Sequence, residues 1–269
     1  MVILNSKKVI YIHIHKTGGE TIEHLLGQFR EGNDIMVTSE NPGMSEEFDR
    51  HFRLRKHSSA RQVAKLLGAD IWDGYFSWAT VRDPYSRLAS LYGFAASMSE
   101  SRLERIGFPS NESHGVQRAW VESAAYPSTV RPWKFAAVRA YLATRAAPSP
   151  FSEFLRHPLL LSKEPAYHTQ FSQLSYRNSL LVKRVVKLES LSAEWPELCR
   201  QMDIPPTELT VRNATPAKWR HNAKELLRTP ADLQLVNRVY AEDFRRFGYE
   251  TIGRDPVPRI VAAPNPEAT

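Results

Sequence analysis

Twice in this sequence a short apolar run gives way at once to a charged turn and then to a helical pattern. The first run is Val9-Ile10-Tyr11-Ile12-His13-Ile14, and its turn is His15-Lys16-Thr17-Gly18-Gly19-Glu20-Thr21. Ile22, Leu25, Leu26 and Phe29 then recur at helical spacing over about residues 19–30. The second run is Tyr75-Phe76-Ser77-Trp78-Ala79-Thr80-Val81, followed by Arg82-Asp83-Pro84. Asp83 suits an N-cap and Pro84 the first helical position, with Tyr85, Leu88 and Tyr92 facing inward. Lys183 to Leu188 reads as a third strand, and Leu191, Trp195, Leu198 and Met202 mark the helix after it. Strands alternating with helices predict an α/β fold with a parallel sheet.

The remaining chain is less regular. Asn41-Pro42-Gly43 signals a turn, and Phe52 and Leu54 suggest a short strand. Ser58 or Ser59 can cap a helix carrying Val63, Leu66 and Leu67, which Gly68 ends. Residues 97–132 lack periodicity and read as an excursion from the sheet. Phe135, Val138, Tyr141 and Leu142 suggest a helix, and Phe151, Phe154 and Leu155 a shorter one. Thr229-Pro230-Ala231-Asp232 opens a last helix that places Leu233, Val236, Tyr240 and Phe244 inward and ends before Gly248. With 269 residues, 42% of them hydrophobic, the chain suits one domain over residues 1–253 with a loose tail at 254–269. Its excursion, about 97–175, is the expected region for contacting whatever a site on this sheet acts on.

The glycine turn is built for an anion. A helix start offers unpaired N–H groups and a partial positive charge, and glycines let the backbone approach closely. Lys16 adds a full charge, and Thr17 and Thr21 add hydroxyls. The net charge of +7, from 36 Lys and Arg against 29 Asp and Glu, agrees with an anionic ligand. No arginine-rich tail, zinc-finger spacing or RNP-type motif points to nucleic acid. Cys199 is the sole cysteine, so disulfides within the chain and Cys-based metal clusters are excluded. The N-terminal apolar run is too short and too polar for a signal segment, and no stretch is long enough to cross a bilayer. A cytoplasmic protein is expected, with at most a peripheral membrane contact.

Lys16 precedes Gly18 and Gly19, the reverse of the nucleotide-triphosphate loop G-x-x-x-x-G-K-[ST]. The second strand ends in Arg82 rather than a magnesium ligand, which suggests a nucleotide held without metal. In a parallel sheet both turns open at the same edge. One would hold a phosphate-like group, and the other offers Arg82 with Ser90 on the helix that follows. The ligand therefore reads as a nucleotide with two separate anionic groups.

These residues carry a family resemblance. Ile14-His15-Lys16-Thr17-Gly18-Gly19-Glu20-Thr21 resembles the 5′-phosphosulfate loop of sulfotransferases. Val81-Arg82-Asp83-Pro84-Tyr85-Ser86-Arg87-Leu88-Ala89-Ser90-Leu91-Tyr92 resembles their 3′-phosphate motif, VR[DN]PxxRLxSxY. Val186 to Leu191 is similar to a late strand segment and Tyr240 to Tyr249 to a terminal helix, so the likeness spans about residues 8–250. It is strongest to carbohydrate sulfotransferases of the family 2 type, the branch with bacterial, heparan 2-O and chondroitin enzymes. The resemblance implies a P-loop NTPase-like three-layer sandwich, a central mostly parallel sheet flanked by helices. It implies the donor 3′-phosphoadenosine 5′-phosphosulfate (PAPS), the product PAP, no metal, and a hydroxyl acceptor on a carbohydrate or glycolipid. Lys16, Thr17, Gly18, Gly19, Glu20 and Thr21 would lie along the phosphosulfate, and Arg82 and Ser90 would hold the 3′ phosphate. Lys16 would stabilise the leaving oxygen.

The acceptor must lose a proton, and a histidine is the usual base. His57 resembles the histidine that relatives carry upstream of the second strand and use as base; His168 and His15 are the other histidine candidates. Glu20 and Glu23 follow, since some sulfotransferases use a glutamate near the first helix. Arg87 is expected to pair with a carboxylate or to line the surface. Two other readings stay open: an atypical P-loop kinase or NTPase, and a non-catalytic nucleotide- or glycan-binding protein.

Overall fold

The computed structural model describes residues 1–103, 136–210 and 216–253. Its centre is a five-stranded sheet in the order β3-β1-β2-β4-β7. The strands are β1 (Val2–Leu4), β2 (Val9–Ile12), β3 (Ile35–Met36), β4 (Phe76–Val81) and β7 (Arg184–Lys187). A small separate hairpin pairs β5 (Ser175–Tyr176) with β6 (Ser179–Leu180). β2, β4 and β7 pair in parallel, with Ile12 opposite Ala79 and Val81 opposite Lys187. β1 runs antiparallel to both β2 and β3, so it alone opposes the common direction. The three parallel strands are the three expected from the sequence, and β1 and β3 add to them.

Alternation along the strands splits the core. Val2, Leu4, Val9, Tyr11 and Trp78 face α1 (Gly19–Gly27) and the helix Leu191–Gln201, meeting Ile22, Leu25, Leu26, Trp195 and Leu198. Ile3, Ile10, Ile12, Ala79 and Val81 face the other way. They pack on Val63 of α3 (Ala60–Leu67), Trp72 of α4 (Ala69–Gly74), Phe171, Leu174 and Phe247. Strands buried on both faces with helices on each side are what a parallel sheet requires. A third cluster joins α5 (Pro84–Leu103) to the helices Ala136–Thr144 and Pro150–Arg156, with Tyr92 against Tyr141 and Phe154 at ring distances of 5.2 and 5.1 Å.

Local chemistry sets the boundaries. Asp83 Oδ1 accepts the Ser86 N–H at 2.8 Å, capping α5. Ser59 closes a capping box with Gln62 at the start of α3, and Gly68 ends that helix. Three expectations are corrected. Asn41-Pro42-Gly43 opens a helix, α2 (Pro42–Phe52), because Pro42 sits at its first position. Phe52 and Leu54 form no strand. Arg53 turns left-handed at φ 56° and ends α2, and Leu54 folds back so that its N–H bonds the Phe48 carbonyl at 3.2 Å. The last helix is two, Pro230–Val239 and Ala241–Phe247. The break falls at Tyr240, whose hydroxyl donates to the Tyr167 carbonyl at 2.7 Å. Residues 97–103 continue α5; residues 104–132, Phe135 and the tail from 254 lie outside the described residues.

Candidate active site

The β2–α1 and β4–α5 turns open side by side at the carboxyl ends of neighbouring parallel strands. Between them lies a cleft of about 1080 Å³. Lys16, Gly18, Gly19, Glu20 and Thr21 line it from the first turn, and Arg82 and Ser90 from the second. Arg82 Nη1 reaches the Lys16 carbonyl at 3.5 Å, so the two cations share one wall.

The glycines are dictated by space. Gly18 is left-handed at φ 79°. A Cβ on Gly19 would stand 2.1 Å from the His13 ring. His13 is buried beneath the turn, its Nδ1 2.7 Å from Glu23 Oε1 of α1. Lys16 also takes a left-handed conformation, at φ 67°. Its ammonium lies 4.3 Å from the centre of the Phe94 ring, a cation–π contact. Burial, then the neighbouring Arg82, lower the Lys16 pKa to about 8.

Thr21 lines the cleft, whereas Thr17 does not. The Thr17 hydroxyl is turned into the core, where it donates to the Ile14 carbonyl at 2.9 Å and meets Thr80 Oγ1 at 3.1 Å. Only its backbone is left to serve a ligand, so the hydroxyl expected at the anion is a brace for the turn.

The turn around Arg82 is held by Gln170 and Glu189. Gln170 Oε1 accepts the Arg82 N–H, and Gln170 Nε2 donates to the Arg82 carbonyl, both at 2.8 Å. Asp243 in turn accepts the Gln170 and Phe171 N–H groups at 2.9 and 2.8 Å. Glu189 Oε1 accepts the Asp83 N–H at 2.9 Å. Arg87 corrects the expectation of a carboxylate partner or a surface place. Its side chain is 1% exposed, and it donates to the carbonyls of His15 at 2.9 Å and His168 at 2.8 Å. It ties α5 to the first turn and to the segment after Glu164. The planar fork reaches the two carbonyls from separate nitrogens, Nε and Nη1, while its buried Nη2 finds no hydrogen-bond partner among the described residues.

Three histidines pack together beside the turn. The His15 and His57 rings stack at 3.5 Å, and His57 meets His13 edge-on at 4.4 Å. Burial is the chief cause that lowers all three pKa values: His15 falls to about 3, and His13 and His57 well below the ordinary range. Nearby cations, Lys56, Lys16 and Arg87, add to the effect for His13 and His15. His57 Nδ1 lies 3.0 Å from the His13 carbonyl, and the neutral ring donates there, leaving Nε2 bare. His168 is exposed and outside the cleft lining. Glu20 lines the cleft with Oε1 3.0 Å from Lys56 Nζ, and Glu23 Oε2 lies 3.3 Å from the same ammonium. Lys56 and the His13–Glu23 pair were not expected, because their contacts join residues too distant in the chain to leave a local pattern. Arg87 lies inside the motif, which gave no sign of its role.

No group of three or more His, Cys, Asp or Glu placed to hold a metal ion occurs among the described residues. Among them, too, no helix is long and apolar enough to cross a membrane. The sequence profile of the sulfotransferase family matches residues 1–250. The chain belongs to the sulfotransferase family. No curated protein and no solved structure matches it. For a sulfotransferase the cleft has a direct consequence in pH. The ammonium of Lys16 is present below about 8 and lost above it. The folded-state value is depressed, so an anion that needs the ammonium binds best at lower pH. For a nucleotide anion seated on that ammonium, calorimetry should show affinity falling by roughly tenfold per pH unit above that point. Affinity that stays flat through it would place the anion elsewhere.

Proposed function

We propose that this sulfotransferase moves a sulfuryl group from PAPS to a hydroxyl of a carbohydrate or glycolipid. The observation that carries the reading is the shared cleft: two cationic turns open into one space, Lys16 with the glycine cradle on one side and Arg82 with Ser90 on the other. The donor fits residues present there. Gly18 and Gly19 let the turn seat closely on Leu188 and His13 at a helix start whose unpaired N–H groups suit an anion, and Lys16 lies over the same turn. Arg82 and the Ser90 hydroxyl suit a second phosphate.

Lys16 binds the bridging oxygen of the phosphosulfate, where charge builds as the sulfur–oxygen bond breaks. A cation aimed at that oxygen acts more strongly in the transition state than in the ground state. The acceptor oxygen forms the new bond to sulfur opposite the leaving group, and its proton passes to a base. His57 lines the cleft wall with a bare Nε2 that can accept a hydrogen bond from a neighbouring hydroxyl of the acceptor and so orient it. Phe94, Met98 and Trp219 on the same cleft give the C–H face of a sugar an aromatic and apolar wall.

The test is transfer of radiolabelled sulfate from PAPS, in EDTA, to chondroitin, desulfated heparin and octyl β-D-glucoside. Labelled product with any of these supports the reading. PAP binding without product would leave a binding protein. Magnesium-dependent ATP hydrolysis lost in Lys16→Ala would instead make it an NTPase.

A further inference from the structure

Two carboxylates line the cleft, Glu20 and Glu164, and they are held differently. Glu20 is engaged by the Lys56 ammonium at 3.0 Å. Glu164 has no ion pair among the described residues. Its Oε1 accepts the Ala166 N–H and its Oε2 the Ala137 N–H, both at 3.1 Å. Two backbone bonds from separate elements fix the plane of this carboxylate, and each oxygen keeps a further lone pair. Glu164 enters the cleft from the end of the helix Pro158–Lys163, capping the short turn Pro165–Tyr167, and so comes from outside both nucleotide turns.

A carboxylate in this cleft repels a bound phosphosulfate and attracts the proton of an acceptor hydroxyl. The charged groups that act on it are Lys16 of the first turn and Arg87 of α5. Lys16 is the residue assigned to the leaving oxygen, so Glu164 lies within electrostatic reach of the reacting centre.

We propose that Glu164 takes the proton from the acceptor hydroxyl. This rests on the transfer reading above. As the acceptor oxygen bonds to sulfur, its O–H bond breaks and the proton moves to a Glu164 oxygen. The electron pair of the breaking sulfur–oxygen bond leaves with the nucleotide beside Lys16. Burial raises the Glu164 pKa, against the pull of its two backbone N–H donors and the two cations. That brings a carboxylate toward the range where a base works best. The three histidines are displaced the other way, and a proton on any of them would join Lys16, Lys56 and Arg87 as one more buried cation.

The experiment measures transfer against pH for the wild type and Glu164→Gln, with the acceptor turned over best in the panel above, and PAP binding by calorimetry. The expected result is a loss of transfer by about 10²–10⁴-fold with PAP affinity retained. The acid limb of kcat/KM, standing above the ordinary glutamate range in the wild type, should vanish in the variant. Transfer within a few-fold of wild type, or a limb that persists, overturns the assignment. If Glu164→Gln weakens PAP binding or folding, Glu164→Ala with added formate decides. Restored transfer supports the proton role, and no restoration overturns it. A wild type that binds PAP but labels no acceptor overturns the transfer reading and this assignment together. An active wild type with an equally active variant overturns this assignment alone.

Discussion

Lys16→Ala should lower the rate of sulfuryl transfer by about 10²–10³-fold, the usual effect of removing one group that stabilises a developing oxyanion. The ammonium stands in a largely desolvated cleft beside Arg82, which is why its pKa is displaced to about 8. In that setting its charge acts on a leaving oxygen with little screening. PAP affinity should also fall, since the ground-state nucleotide still carries the 5′ phosphate. Folding should not suffer. The unliganded protein keeps this cation near Arg82 at a cost, so its thermal midpoint should stay level or rise when the cation is removed. Single-turnover transfer, calorimetry with PAP and a melting curve separate the three effects. Unchanged transfer in a well-folded variant would remove Lys16 from the chemistry.

Gly19→Ala should be nearly as severe, for a steric reason. The added Cβ would meet His13 Cδ2 at 2.1 Å, Nε2 at 2.2 Å and Cγ at 2.7 Å. The imidazole cannot swing away, because it is 3% exposed and bonded to Glu23 at 2.7 Å. The turn must move instead. Overpacking of this kind costs about 1–3 kcal/mol and displaces the N–H groups at the start of α1. The expected outcome is a lower melting temperature and PAP binding weakened by at least about tenfold, which corresponds to about 1.4 kcal/mol. Adding His13→Ala should return much of the binding by making room for the methyl group. If Gly19→Ala binds PAP normally, the close approach of the turn to His13 is not what shapes the cradle.

The parts of this protein written in local patterns were legible in its sequence. The runs at Val9–Ile14 and Tyr75–Val81 are β-branched and aromatic, and each becomes a buried strand, β2 and β4. Asp83, Ser59 and Gly68 act at the helix ends where their side chains or backbone freedom are useful. What escaped was set by contacts distant in the chain. β1 is only three residues, Val2–Leu4, too short for a period, and it exists because it pairs with both β2 and β3. Thr17 looks like an anion donor in its motif, yet Thr80 and the Ile14 carbonyl claim its hydroxyl from the core side. Arg87 looks like a surface residue until α5 packs, and then its partners are carbonyls at His15 and His168. No periodicity in the local sequence announces what Gln170 and Asp243 do, although Asp243 lies in the segment that resembles a terminal helix of the family. They matter because Asp243 holds Gln170, and Gln170 holds both backbone groups of Arg82. The likeness of the terminal helix to other sulfotransferases thus has a physical content: it anchors the turn that carries Arg82.

The central claim is that one nucleotide is held at two phosphates by two turns, and a ligand pair tests it directly. PAP and adenosine 5′-monophosphate differ only in the 3′ phosphate. Titrating both, in EDTA, into the wild type and Arg82→Ala should show that the wild type prefers PAP by about tenfold or more, the worth of a charge-assisted hydrogen bond. Arg82→Ala should erase that preference and leave the monophosphate affinity as it was. Equal binding of the two nucleotides to the wild type, or equal weakening of both by Arg82→Ala, would contradict the account.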